Sequence, residues 1–69
     1  MSFEEFLFIL VEDPEVKELI NKCLDSPECG QKLVVILDHY YLKWLFLRSR
    51  KDIEHRITEE IKKAILSLF

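Results

Sequence analysis

The side chains in this chain whose types could do chemistry are few: Cys23 and Cys29, His39 and His55, and the basic run RSRKDIEHR over residues 48–56. Each chemistry makes its own demand on spacing. Structural zinc takes ligands in close pairs, C-x2–4-C and H-x3–5-H. Here the cysteines stand six apart and the histidines sixteen apart, so no metal is expected. A catalytic histidine needs a nucleophile and an orienting carboxylate within reach. His39 has neither at a recognisable spacing, and it is read as an interface or capping residue. Two cysteines do not make a disulfide framework. Free buried thiols are the expectation, with a bridge across the short turn between them as the alternative. No glycine-rich phosphate loop can be built around Gly30, the single glycine. No cofactor and no catalytic residue are expected.

The basic run groups Arg48, Arg50, Lys51 and Arg56 and dilutes them with Asp52 and Glu54. It could touch phosphates. It lacks interleaved aromatics for base stacking and the Asn, Gln and Arg array of a base-reading helix. A solvated face is the expected role, and a nucleic-acid-associated regulator the alternative. Arg50 and His55 also stand as R-x4-H at the opening of a helix. This resembles the R-x4–6-H signature of HEPN-family ribonucleases, helical bundles that dimerise to pair two such motifs over RNA. The resemblance covers six residues, and Lys51 stands where that family usually carries Asn, Asp or His. It implies RNA cleavage at a dimer surface, a third reading. A helix-turn-helix fails because its would-be recognition helix would be the most apolar stretch of the chain, with Val34, Val35 and Ile36 turned toward the groove.

The elements that would position these residues are all helical. Ser2 and Glu5 form a capping box, after which Phe3, Phe6, Leu7, Leu10 and Val11 repeat along one helical face. Asp13-Pro14 ends that helix and starts the next, with Asp13 as cap and Pro14 in the first turn. Ser26-Pro27 repeats the device. Ser49 with Asp52 offers a weaker box ahead of the stripe Ile53, Ile57, Ile61, Ala64, Ile65, Leu68. These signals predict helices over about residues 3–11, 14–25, 27–47 and 50–68. The apolar stripes on either side of residue 49 fall about 100° out of phase at 100° per residue, so two helices, rather than one long one, are expected to meet at 48–50. The fold class is all-α: a single four-helix domain over 1–69, two short helices followed by two longer ones.

The third helix decides the functional expectation. LVVILDHYYLKWLFL (33–47) has twelve apolar residues in fifteen. Leu33, Ile36, Leu37, Tyr40, Trp44 and Leu47 make its main face. Val34, Tyr41 and Leu45 make a second patch, and Val35, Leu42 and Phe46 a third. Only His39, Lys43 and Arg50 form a polar seam. A helix apolar nearly all round sits inside something, and a chain of 69 residues, 49% apolar, has little with which to cover it. The expectation is a helical-bundle homodimer formed through Val34, Tyr40, Tyr41, Leu42, Trp44, Leu45 and Phe46. It would act as a non-enzymatic adaptor, scaffold or regulator that binds another protein. Residues 1–30 carry a net −6 and residues 31–69 a net +3, read as complementary packing of the two halves. The apolar run is too short and too charged for a membrane span, and the acidic N-terminus lacks the features of a signal peptide. A cytoplasmic protein is expected, with a composition that hints at a thermophilic source.

Overall fold

The structure, a computed structural model, describes residues 3–47 and 52–69. Those residues form four helices and no strand: α1 (Phe3–Val11), α2 (Pro14–Leu24), α3 (Pro27–Leu47) and α4 (Ile53–Leu66). The first three match the expected boundaries to within a residue. Asp13 caps α2 in an extended conformation, its carboxylate accepting the Glu15 amide at 2.9 Å. Ser26 stands before Pro27, and its Oγ lies 3.5 Å from the Cys29 amide. Asp52 precedes α4 without a side-chain cap. The expected boxes at Ser2 and Ser49 fall outside the described residues.

A 21-residue helix is about 32 Å long at 1.5 Å per residue, and α3 sets the 34 Å length of a molecule 19 Å across. The other helices lie along it: α3 packs on α1, α2 and α4, and α2 packs on α1 and α4. The chain reverses between α3 and α4. Lys43 Nζ donates to both carboxylate oxygens of Glu60 at 3.2 Å, whereas one continuous helix would hold those residues about 26 Å apart. The phase argument for two helices is therefore correct.

The core is drawn from every helix: Phe6 and Leu10, Val16 and Cys23, Leu33, Leu37 and Trp44, and the stripe Ile53, Ile57, Ile61 and Ile65. The stripes read from the sequence for α1, the main face of α3 and α4 are all buried or half-buried. Thr58 joins them because its hydroxyl donates to the Glu54 carbonyl at 2.8 Å, which satisfies the polar atom within its own helix. Aromatic rings fix α1 on α3. Phe3 meets Tyr41 edge-on at 5.1 Å, and Phe6 lies 5.7 Å from Tyr41 and 5.6 Å from Trp44. Such pairs add about 0.5–1.5 kcal/mol each beyond their burial.

The expectation of free thiols is overturned. Cys23 at the end of α2 and Cys29 in the first turn of α3 form a disulfide, with Cα atoms 5.1 Å apart. The turn at Asp25 and Ser26 folds both cysteines inward, where Cys23 has no exposed surface and Cys29 very little. Two buried cysteines facing each other across a tight helix–helix turn are within bridging distance.

Gly30 follows directly. It is a helical residue with no positive φ, and a Cβ there would meet only Leu24 Cδ2 at 3.8 Å, an ordinary contact. Gly30→Ala is therefore expected to stabilise the fold by about 0.5–1 kcal/mol. A melting curve should rise by roughly 2–8 °C, since about 1 kcal/mol moves a domain of this size by 4–8 °C.

Candidate interaction surface

With α1 against Tyr41 and Trp44, and α4 reached by Lys43, the face of α3 that remains points outward. Its apolar residues are bare: Phe46 is 85% exposed, Val35 69%, Leu42 57% and Val34 56%. Asp38 and His39 are exposed among them. Isolated exposed apolar residues are ordinary, but these four lie within thirteen positions of one helix. Together they bare on the order of 500 Å² of apolar surface, near the upper end for a monomer. The remaining exposed large apolar residues sit on other elements: Phe8 on α1, Leu24 on α2, and Leu66 and Phe69 at the end of the chain.

The expected interface residues divide three ways. Val34, Leu42 and Phe46 face solvent; Tyr40, Tyr41 and Leu45 are half-buried; Trp44 is buried within its own chain, packed against Phe6. Its indole Nε1 is buried without an acceptor among the described residues. Val35 belongs to the bare face although the expected set holds Val34 and omits it. Its shared phase with Leu42 and Phe46 was the available signal.

The basic cluster is only partly described. Arg48, Arg50 and Lys51 lie outside the described residues, while Arg56 and His55 are exposed on α4. Among the described residues no group of three His, Cys, Asp or Glu side chains is placed to hold a metal ion. No helix there is long and apolar enough to cross a membrane.

The densest electrostatic feature lies elsewhere, where α4 meets the start of α2. Lys62 Nζ sits 3.0 Å from Glu15, 3.3 Å from Asp13 and 3.4 Å from Glu59, with only 17% of its side chain exposed. It joins the acidic first half of the chain to the basic second half, as the charge asymmetry predicts. The hydrogen bond to Glu15, opposed by burial and joined by those to Asp13 and Glu59, holds the ammonium above its ordinary 10.5. At Asp13 burial pushes the carboxyl up. The Glu15 amide, Lys62 and the Val16 amide together outweigh it and leave the group below 3.8.

A depressed carboxylate contributes stability that is present above its unfolded value and lost as pH falls through the folded one. A raised ammonium contributes below its unfolded value and loses that as pH rises through the folded one. Lys62→Met should therefore melt roughly a few degrees below the parent at neutral pH, where three carboxylates lose their shared cation. The gap should close both below pH 3.8 and well above pH 10.5. Melting curves of the two proteins across pH check this.

Compared with protein-family models, with curated proteins and with solved structures, the chain matches none.

Proposed function

We propose that this protein is a small non-enzymatic interaction module, an adaptor, scaffold or regulator of the cytoplasm, that works as a homodimer through the outward face of α3. The observation that carries the reading is the bare stripe of Val35, Leu42 and Phe46, flanked by Val34, on a helix whose opposite side is already packed. A patch of about 500 Å² is a large part of the ~800 Å² that each partner contributes to a standard interface. Among the described residues the stripe bears no acidic or basic cluster that would call for a charged partner, so a second copy of the same apolar face complements it. A C2 pairing closes, leaving no sticky surface behind. A folded, dimeric module then presents α1 and α4 twice, on opposite sides of the pair, for a protein partner. An intracellular disulfide agrees with the thermophilic cast of the composition, since hyperthermophiles keep such bridges inside the cell.

Sedimentation equilibrium tests the reading. The wild type should run as a dimer in the micromolar range. Phe46→Glu should raise the dissociation constant by about 100-fold or more, the loss expected when a central aromatic anchor is replaced by a charge. Its helical CD should be unchanged, because Phe46 takes no part in the protomer core. A wild type of 8.3 kDa throughout that range would end the proposal.

A further inference from the structure

The bare stripe has one titratable member. Val35, His39, Leu42 and Phe46 follow each other at steps of four, three and four, the a/d spacing of a coiled-coil seam. At 100° per residue they fall within about 60° of one another. All four are exposed in the protomer. Upstream the seam stops sharply: one step further the same stripe would continue through Lys32 and Glu28. The histidine is therefore central to a short apolar strip rather than at its rim.

We infer that His39 makes self-association proton-dependent, with the dimer held together at neutral pH and released by acidification. This rests on the homodimer reading above. In an antiparallel pairing with its dyad between residues 39 and 42, His39 would lie against Leu42 of the second copy. In a parallel pairing it would lie against the second copy's own His39. The first buries an imidazolium against hydrocarbon, and the second sets two cations side by side, so both senses give the same sign.

The groups around the ring reinforce it. Lys43, one turn further on, is cationic and is tied to Glu60 of α4 at 3.2 Å, which occupies that carboxylate. The Tyr40 ring meets the imidazole edge-on at 5.1 Å and supplies no charge. Asp38 is adjacent in sequence, exposed on the same bare side of α3, and about 100° round the helix from His39. Among the described residues no carboxylate in contact with the imidazole stands ready to neutralise an imidazolium. Two protomers thus bind more protons apart than together, and association weakens on acidification.

The test is the dissociation constant by sedimentation equilibrium at pH 7.5 and 5.5, with CD at both to verify that the helices persist. The wild type is expected to weaken by at least tenfold. His39→Leu should associate as tightly at both values, whereas His55→Gln should keep the wild-type dependence. A wild-type dimer whose constant is the same at both pH values overturns the inference and leaves the homodimer standing. Unchanged pH dependence in His39→Leu also overturns it. A wild type monomeric at both values overturns the homodimer reading and this inference with it.

Discussion

Phe6→Ala is expected to leave most of the chain unfolded at room temperature, with the helical CD signal falling toward that of a coil. Phe6 has no exposed surface, and its ring sits among Phe3, Tyr41 and Trp44. Truncating a buried phenylalanine costs about 3–5 kcal/mol. A domain near 70 residues holds about 3–10 kcal/mol in all, at about 0.05–0.15 kcal/mol per residue. The loss therefore approaches the whole stability of the protomer. The reason is architectural. α1 has only nine residues, too few to be stable as an isolated helix in water, and Phe6 and Leu10 are its fully buried side chains. Without the Phe6 ring, α1 has little reason to stay on α3, and Tyr41 and Trp44 would be uncovered. Phe8→Ala, on the exposed side of the same helix, is the control and should melt within about 0.5 kcal/mol of the parent. Chemical denaturation of both variants separates the cases. A Phe6→Ala protein that keeps a midpoint near the wild type would mean that α1 is not an integral part of the core.

How much of this could be read beforehand depends on whether the signal is local. Pro14 and Pro27 write helix starts into the chain in a form that no tertiary contact needs to supply, and the helices begin there. The isoleucine stripe of α4 has the same quality: period 3.6, unbroken, buried as read. The phase mismatch between Leu47 and Ile53 indicated two helices rather than one because a helix cannot rotate its apolar face by itself. What was illegible depends on distant partners. Lys62 reads as one more lysine on a charged helix, and nothing near it announces that Asp13 and Glu15, on another helix, will share it. Trp44 reads as an interface anchor. Only the placement of α1 shows that Phe6 already covers it. The choice between the Tyr41–Leu45 and Leu42–Phe46 patches is of the same kind: both are apolar on the wheel, and where the neighbouring helices stop leaves the first half-buried and the second exposed. The outward face could be narrowed to two patches from phase alone, and the fold then selects between them.

Reducing the Cys23–Cys29 bridge, or replacing both residues by alanine, is expected to lower the melting temperature by about 10 °C while leaving self-association nearly intact. In the chain-entropy account a loop of six residues removes about 2 kcal/mol of denatured-state freedom, and a domain of this size shifts by 4–8 °C per kcal/mol. The bridge closes such a loop, with a sequence separation of six. Alanine at both positions avoids leaving a polar hydroxyl where Cys23 is wholly buried. The two effects separate because of position. The disulfide ties α2 to the first turn of α3, whereas Phe46 lies seventeen residues on, about 25 Å along the helix axis. The α2–α3 turn should loosen first, and hydrogen exchange should accelerate at the Ser26 and Gly30 amides, which donate to Cys23 and Ser26 carbonyls at 3.2 and 2.9 Å. The seam over residues 35–46 should keep its protection. If the reduced protein instead became monomeric while still folded, the packing of α2 would be setting the orientation of the exposed face, and α3 could not be regarded as a rigid presenter of its own surface. A reduced protein that melts where the oxidised one does would mean that the turn is held by Ser26, Pro27 and the buried side chains of Cys23 and Cys29 alone.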